Sequence, residues 1–241
     1  MKEILFYEEL ASTNETAKEM IFAKKAAVGT VIAANAQTCG RGTHGRKFFS
    51  PKGLGIYMSV VLSPEEPSFT TISAAVTVSE AIEAVTDLQP KIKWVNDIYL
   101  RGKKVCGILA ETVGEFVVLG VGINFNMREE DFPEELSAAA GSIFPDGDAP
   151  RREPPVTRER LIDEIIRRLD ANAYSWDEIL SRYRSRLMYV GERVRVSDLS
   201  GGAEYEAVVL GVDDGGRLVI KKDSGGIISL LSGDIKILSR G

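Results

Sequence analysis

The chain has 241 residues, 44% of them hydrophobic, which is enough for one good-sized core or for one core with a small additional module. Its formal charge of −5 argues against a general electrostatic attraction to nucleic acid, so no DNA partner is expected. A single histidine, His44, and two cysteines, Cys39 and Cys106, exclude a histidine-rich metal site, a zinc cage and a disulfide framework. Because neither a signal-peptide core nor an apolar run of roughly 18 residues occurs, we expect a cytoplasmic protein with no membrane contact.

The first half of the chain predicts strands and helices on either side of a glycine-rich segment. In chain order these are a strand, a helix, a strand, the glycine-rich segment, a strand and a helix, at residues 4–7, 12–26, 30–36, 39–55, 56–62 and 72–85. The sequence Ser12-Thr13-Asn14-Glu15 is a capping-box pattern, with a hydroxyl at the N-cap and a glutamate three residues later. Five glycines in the segment 39–55 favour a backbone-rich binding loop over a packed element.

The second half predicts antiparallel hairpins, two helices and a small barrel. In chain order, strands are expected at residues 91–100, 105–112 and 116–125, a loosely structured connection at 133–155, helices at 161–169 and 179–187, and five short strands at 194–196, 207–212, 218–220, 227–231 and 235–238. Closely spaced strands separated by glycine-rich turns indicate a barrel after the two helices. We therefore predict one domain over 1–188 and a second over 189–241.

The net charge conceals two basic windows. Residues 20–64 contain six lysines and arginines and no acidic residue, and residues 88–110 contain five bases and one acid, Asp97. Together the two windows carry +10, and the remainder of the chain carries −15. Such an island indicates an anionic ligand such as a nucleotide, although an ordinary solvated surface would give the same pattern.

Five short motifs follow one another along the chain. They are Ser12-Thr13-Asn14, QTCGRGTHGRK at 37–47, KWVND at 93–97, KKVCGILAE at 103–111 and GVGIN at 120–124. No P-loop, no complete dinucleotide fingerprint and no protein-kinase set is present. In this order and spacing, and with a small C-terminal barrel behind them, the five motifs resemble those of the biotin protein ligases. The resemblance covers essentially the whole chain.

The resemblance implies an α+β fold, in which a mixed, mainly antiparallel sheet with helices, related to class II aminoacyl-tRNA synthetases, is joined to an SH3-like barrel. It also implies a two-step reaction with ATP, biotin and Mg²⁺. The biotin carboxylate attacks the α-phosphate to form biotinyl-5′-adenylate, and a lysine of an apo biotin carboxyl carrier protein domain then displaces AMP. Because the chain starts directly at the catalytic domain, we expect the ligase-only type, without a DNA-binding domain. Family members are often homodimers, so a homodimer is expected.

By the same resemblance, one group of residues forms the biotin site. The matching positions are Ser12, Thr13, Asn14, Gln37, Gly40, Arg41, Gly42, Thr43, Lys104, Gly107 and Gly122. Ser12, Thr13 and Gln37 match positions that bond the ureido ring, although Ser12 alternatively serves only as an N-cap. Gly107 and Gly122 would give the ring room against the sheet; alternatively they are glycines at strand bulges.

A second, overlapping group matches the family's nucleotide side. Its members are Arg41, Arg46, Phe48, Asn96, Asp97, Lys104 and Asn124, with Asp97 also a candidate Mg²⁺ ligand. Arg41, Arg46 and Lys104 are cations that can offset the repulsion between a carboxylate and a triphosphate, so these three and Asp97 are the catalytic candidates. Two alternatives stay open. Lys104 would otherwise be a lysine that keeps a hairpin edge soluble, and Asp97 would otherwise form an ion pair with Lys93 or Lys104.

The motifs also depart from the family pattern. Thr43 stands where the family often has arginine, which predicts weaker retention of the adenylate. His44 is expected to be a loop residue without a catalytic role, and both cysteines, Cys39 and Cys106, are expected to be small buried side chains. Trp94 and the pair Phe48-Phe49 would help wall the ligand; alternatively they belong to the core, as aromatic side chains more often do.

Two rival functions compete with biotin ligation. A lipoate or octanoate ligase shares the fold and the adenylation logic, but the arginine and glycine motif is placed differently in those families. A non-catalytic biotin sensor is the other, and the presence of Lys104 argues against it. The base that takes the proton of the incoming lysine is left open among Asp97, the adenylate phosphate and water.

Overall fold

The computed structural model describes residues 4–63, 67–145, 154–171, 174–197, 204–231 and 234–237. Within them the larger sheet has the strands β1 (Ile4–Tyr7), β2 (Val31–Ala34), β3 (Gly55–Leu62), β4 (Lys91–Lys93), β5 (Asp97–Leu100), β6 (Lys103–Val113) and β7 (Phe116–Asn124). The helices are α1 (Thr13–Phe22), α2 (Pro67–Val85), α3 (Glu134–Ser137), α4 (Arg158–Asp170) and α5 (Trp176–Arg186). The smaller sheet has the strands β8 (Arg193–Ser197), β9 (Tyr205–Val212), β10 (Leu218–Lys222), β11 (Ile227–Leu230) and β12 (Asp234–Ile237).

The larger sheet has the strand order β1-β2-β3-β7-β6-β5-β4. Only the pairing of β1 with β2 is parallel, and each of the remaining neighbours pairs antiparallel. The smaller sheet is antiparallel, in the order β11-β10-β9-β8-β12. The predicted α+β class, with a mainly antiparallel sheet followed by a small sheet of five short strands, is confirmed. The last residue of the fifth predicted strand, at position 238, lies outside the described residues.

The larger sheet separates two layers of core side chains. On β7, Leu119, Val121 and Ile123 point into the main core, where α2 packs, and Val118 points into a smaller cluster with Ala17 of α1. Alternate residues of a strand face opposite sides, so the α1 side of β7 also carries the two glycines of the sequence GVGIN. Directly beside the N-terminus of α1, this face of β7 therefore carries almost no side chains and forms a flat floor.

The capping-box prediction for α1 is wrong. Ser12 occupies the N-cap position with an extended backbone, but its side chain makes no capping hydrogen bond. Glu15 does not reach back to it, because its carboxylate lies 2.9 Å from Lys18 Nζ and 3.1 Å from Arg41 Nη1. The helix also ends at Phe22, four residues earlier than expected. The first turn of α1 is thus held by charged partners rather than by its own cap.

The predicted loose connection at 133–155 is more ordered than expected in its first part. It contains α3, and the segment after α3 lies beside Lys104 in parallel register with β6. Lys104 N–H donates to Ala139 O at 2.9 Å, and Gly141 N–H donates to Lys104 O at 2.8 Å. This part of the connection therefore forms a wall beside the motif KKVCGILAE, while residues 146–153 lie outside the described residues.

The smaller sheet contacts the larger one through its turn at 213–216. Trp94 Nε1 donates to Gly216 O at 3.0 Å, and Trp176 Nε1 donates to Asp214 O at 2.7 Å. Trp94 is 5% exposed, belongs to the main core and does not line the cleft described below, so the core alternative holds for this residue. No helix within the described residues is both long and apolar enough to cross a lipid bilayer.

Candidate active site

A cleft of about 290 Å³ lies on the α1 side of the larger sheet. It is bounded by the first residues of α1, by the floor of β6 and β7, and by the glycine-rich segment. Its charged lining consists of five cations and one acid, namely Arg41, Arg46, Lys47, Lys93, Lys104 and Asp97. The two basic windows of the sequence therefore contribute their charges to one concave site, as an anionic ligand requires.

The glycine-rich segment forms a small hairpin over the cleft. Arg41 pairs with Lys47 as an antiparallel bridge, and Gly42 N–H donates to Arg46 O at 2.7 Å. At the tip His44 is exposed and has a φ of 57°, a conformation that costs little in a short turn. The neighbouring Cys39 is exposed, so the expectation that both cysteines are buried holds only for Cys106.

Most of the predicted biotin residues meet in the cleft. Those that line it are Ser12, Thr13, Asn14, Gln37, Arg41, Gly42, Thr43, Lys104, Gly107 and Gly122. Gly40 lies outside the lining and has a packing role instead. A Cβ at this position would come within 2.4 Å of Phe48 O and 2.7 Å of Ser50 Oγ, so only glycine lets the hairpin close.

The glycine pair of the floor lies beneath the ring of Phe48. Gly107 and Gly122 are direct partners on β6 and β7. A Cβ at Gly122 would lie 2.7 Å from the Phe48 ring, and one at Gly107 would lie 3.3 Å from it. The two glycines thus create flat space for a ring against the sheet, which in this structure is taken by an aromatic side chain of the hairpin.

Lys104 and Asp97 form an ion pair at the edge of the cleft. Lys104 Nζ lies 2.6 Å from Asp97 Oδ1, and the two side chains are 32% and 15% exposed. The sequence left two alternatives for Asp97, a place in the binding site or an ion pair with a lysine. In the structure Asp97 forms the ion pair and also lines the cleft. The contact with this carboxylate keeps the ammonium group of Lys104 in a defined position.

The two predicted asparagines have different surroundings. Asn96 lines the cleft, and its Nδ2 donates to Ile108 O at 2.8 Å, which ties the turn before β5 to β6. Asn124 is 5% exposed and lies outside the cleft lining. Its Nδ2 donates to Gly141 O at 2.9 Å and so holds the end of β7 against the wall beside Lys104. A contact of Asn124 with nucleotide stays a prediction.

Sequence reasoning missed a polar network behind the cleft wall. Ser59 is fully buried, and its Oγ lies 2.6 Å from Asn14 Oδ1 and 2.8 Å from Thr13 Oγ1. Asn14 Nδ2 donates to Glu111 Oε2 at 2.8 Å, and Lys18 Nζ donates to Glu111 Oε1 at 2.7 Å. For Ser59 the sequence did offer a signal, since it is the single serine within the predicted apolar strand 56–62.

The charges of this network are mutually stabilised. Burial by itself would raise the pKa of the Glu111 carboxyl, but hydrogen bonds from Lys18 and Asn14 outweigh burial, so that pKa lies below its ordinary value. Burial also acts to lower the pKa of Lys18, and its hydrogen bonds to Glu111 and Glu15 raise that pKa above its ordinary value. Both groups are therefore ionised at neutral pH.

The comparisons with known proteins agree with this architecture. The family model described as "Biotin/lipoate A/B protein ligase family" matches residues 6–127, and the model "Biotin protein ligase C terminal domain" matches residues 189–238. A bifunctional ligase/repressor BirA of Bacillus spizizenii is 33% identical over 97% of this chain and 74% of its own length. A biotin–[acetyl-CoA-carboxylase] ligase of Mycobacterium tuberculosis is 34% identical over 86% of this chain and 78% of its own length.

A solved structure agrees along the whole chain. The biotin protein ligase from Aquifex aeolicus in complex with biotin and ATP superposes with a TM-score of 0.83 at 28% identity, covering 99% of this chain and 100% of that one. The fold and the cleft thus define an enzyme of the acyl-adenylating ligase class. The chain belongs to the biotin/lipoate A/B protein ligase family and, within it, to the biotin protein ligases.

Proposed function

We propose that the chain is an ATP-dependent biotin–protein ligase, which activates biotin as biotinyl-5′-AMP and transfers it to a lysine of a biotin carboxyl carrier domain. The observation that carries this proposal is the cleft itself. It brings five cations to the edge of a glycine floor and a wall of hydroxyl and amide groups. Joining a carboxylate to a phosphate needs such cations, and holding a small polar ring needs such a wall.

In the first step a carboxylate oxygen of biotin attacks the α-phosphorus of ATP, and the bond to the β-phosphate oxygen breaks to release pyrophosphate. We infer that Lys104, fixed by Asp97, lies between the two anions and offsets their repulsion. Arg41 and Arg46, on either side of the hairpin tip, would hold phosphate oxygens through their guanidinium groups. The same donors stabilise the charge that builds at phosphorus in the transition state.

In the second step the carrier lysine amine attacks the carbonyl carbon of the adenylate, and the bond to the phosphate oxygen breaks to release AMP. We infer that no histidine acts in this step, because the single histidine of the chain, His44, is exposed and lies outside the cleft lining. Asp97 and the leaving phosphate are the nearby acceptors for the amine proton. Asp97, the leaving phosphate and water all stay candidates for this role.

Mg²⁺ would be held by Asp97 together with ATP phosphates. No cluster of three or more acidic, histidine or cysteine ligands occurs in the described part of the chain. One carboxylate nevertheless fits this ion, since Mg²⁺ in nucleotide sites is commonly bound by one or two carboxylates, phosphates and water. The ion would supply further positive charge beside the phosphates.

The proposal is tested by looking for the adenylate. Purified protein is incubated with ATP, Mg²⁺ and either biotin or lipoate, and the products are separated by mass spectrometry. Biotinyl-adenylate is the expected product. Lipoyl-adenylate alone would establish the rival ligase of the same family, and absence of both adenylates would contradict adenylation. Adding an apo carrier domain then tests transfer to its lysine.

Replacing Thr43 by Arg should slow the escape of the adenylate. Thr43 lines the cleft at the hairpin tip, where its Oγ1 accepts from Arg46 Nη2 at 3.2 Å. A further cation at this position would add a charge-assisted contact to the phosphate, which predicts an off-rate about tenfold lower. The rate is measured by chasing labelled adenylate with unlabelled biotin and ATP.

The matched control for this prediction is Thr38→Arg. Thr38 is exposed in the same segment but lies outside the cleft lining, so the same added charge should leave the off-rate unchanged. Equal slowing in both variants would assign the effect to overall charge, and an unchanged off-rate in Thr43→Arg would contradict our account of the hairpin.

Three expectations stay predictions: the domain division at residue 188, a homodimer, and a cytoplasmic location. The carrier protein that would receive biotin is proposed by chemical class only.

A further inference from the structure

The cleft wall that carries Thr13 and Gln37 is backed by a chain of hydrogen bonds that starts outside the cleft, at Glu111. Asn14 Nδ2 donates to Glu111 Oε2 at 2.8 Å. An ionised carboxylate accepts hydrogen bonds and donates none, so it determines which end of the Asn14 amide faces it. The NH₂ end therefore points to Glu111, and the carbonyl oxygen points to Ser59.

Through Ser59, the orientation of the Asn14 amide determines the direction in which the Thr13 hydroxyl donates. Ser59 Oγ lies 2.6 Å from Asn14 Oδ1 and 2.8 Å from Thr13 Oγ1. A hydroxyl carries one hydrogen, and a carbonyl oxygen carries none, so the hydrogen of Ser59 must go to Asn14. Two oxygens 2.8 Å apart need a hydrogen between them, so the hydroxyl of Thr13 donates to Ser59. Thr13 Oγ1 is then left with lone pairs for the cleft.

The side-chain amide of Gln37 is oriented independently of Glu111, by Thr13 N–H at its oxygen and by Ser50 at its nitrogen. Its Oε1 accepts from Thr13 N–H at 2.8 Å, and its Nε2 donates to Ser50 Oγ at 2.9 Å. Ser50 Oγ in turn donates to Phe48 O at 2.9 Å, so it accepts from Gln37. Gln37 Oε1 and Thr13 Oγ1 lie 3.2 Å apart in the wall, near enough for Thr13 to donate to Gln37. The single hydrogen of the Thr13 hydroxyl is taken by its shorter contact of 2.8 Å with Ser59, so both oxygens present lone pairs to the cleft. A ligand N–H placed between them would relieve their repulsion.

The packing around Asn14 leaves room only for the orientation of its amide described above. A Cβ on Gly120 would lie 2.3 Å from Asn14 Oδ1 and 3.1 Å from its Nδ2, so the amide lies flat on a glycine of β7. Asn14 is 3% exposed and Ser59 is fully buried, which keeps water from replacing either link. The chain is therefore specified by its protein partners alone.

We propose that Glu111 is a positioning residue for substrate selection: through Asn14 and Ser59 it makes the wall a pair of acceptors, which favours a ring with N–H groups, such as a cyclic urea, over a dithiolane ring. The inference rests on the proposed function, since the ureido ring of biotin is such a ligand and the ring of lipoate has no N–H. A glutamine at this position can donate to Asn14, which allows the whole chain of hydrogen bonds to reverse.

Glu111→Gln in the full chain tests the inference. We expect the Kd for biotin, measured by calorimetry without ATP, to rise about tenfold, because the acceptor pair is no longer enforced. The KM for ATP, measured by pyrophosphate release, should change by less than about twofold, since the cation bonded to Glu111 is Lys18, which is not one of the five cations that line the cleft. Glu115→Gln, the same change at an exposed position of the β6–β7 turn, is the matched control and should bind biotin like the wild type.

Ser59→Ala and the double variant separate the chain of hydrogen bonds from a general structural effect. If Glu111 acts through Ser59, the alanine variant loses biotin affinity by itself, and adding Glu111→Gln changes Kd by less than about twofold more. Additive losses, or a wild-type Kd in Glu111→Gln, would overturn the inference while leaving biotin ligation intact. Failure of the wild type to bind biotin would instead overturn the proposed function. Melting curves of all four proteins report whether each variant folds.

Discussion

Lys104→Ala is expected to lower the rate of adenylate formation by about 10³-fold, with the fold retained. Lys104 is the cation that the structure pairs with the single acid of the cleft lining, at 2.6 Å from Asp97 Oδ1. Its removal takes away the charge that lets two anions approach. It also leaves Asp97, which is 15% exposed, as an added negative charge facing the phosphates.

The matched control is the neighbouring lysine on the same strand. Lys103 Nζ lies 3.1 Å from Glu129 Oε2 and 3.0 Å from Ser137 O, and the side chain lies outside the cleft lining. Lys103→Ala should therefore keep the rate within about twofold of the wild type. Pyrophosphate release at saturating biotin and ATP measures both variants. A Lys104→Ala rate within tenfold of the wild type would reduce Lys104 to a lysine that keeps a strand edge soluble.

Local sequence patterns were sufficient for much of this site. The glycines of GVGIN and of KKVCGILAE lie on neighbouring antiparallel strands, where Gly107 and Gly122 are direct partners and so share a face. Their assignment to the ligand site came from the resemblance of these motifs to those of the family, not from alternation along the strands. The two basic windows likewise predicted a cationic site, because the clustering of lysines and arginines along a segment does not depend on how its strands are paired. In both cases the relevant partners are local, or their register follows from short turns.

The parts that could not be predicted depend on contacts between distant positions. Asn14 and Glu111 are 97 positions apart, and Asn14 and Ser59 are 45 apart. No local periodicity specifies such partners. The failed capping box has this cause only in part: Glu15 had the right spacing to Ser12, but its carboxylate is shared by Lys18, one turn along the same helix, and by the distant Arg41. A charged tertiary partner outweighs a local hydrogen bond of about 1 kcal/mol.

A different set of charges determines how firmly the helices are held behind the sheet. Glu80 lies in the middle of α2 with its side chain 7% exposed. Its carboxylate is 3.0 Å from Arg168 Nη1 of α4, and 2.6 Å from Arg182 Nη1 and 3.8 Å from Arg186 Nη2 of α5. One buried acid is therefore in contact with three arginines from two other helices. Taking away a single member of such a buried group leaves the others uncompensated.

Glu80→Gln should accordingly lower the free energy of unfolding by about 3 kcal/mol and the Tm by roughly 6–12 °C. The amide keeps the volume of the side chain, but its NH₂ group must face an arginine donor. Glu83→Gln, one turn along the same helix, is the graded comparison. Its carboxylate is 31% exposed and pairs with Arg186 at 2.7 Å, so about 1 kcal/mol or less should be lost.

Urea unfolding measures both variants, and adenylate formation at 25 °C should stay near wild type because neither residue lines the cleft. Equal losses in the two variants would contradict the argument, since burial is what distinguishes them. Unchanged stability in Glu80→Gln would contradict the argument as well. Arg168 and Arg186 each have a second acid, since Glu164 lies 2.7 Å from Arg168 and Glu83 lies 2.7 Å from Arg186. Arg182 has no such second acid among the ion pairs of the described residues, so it should be the site of the loss.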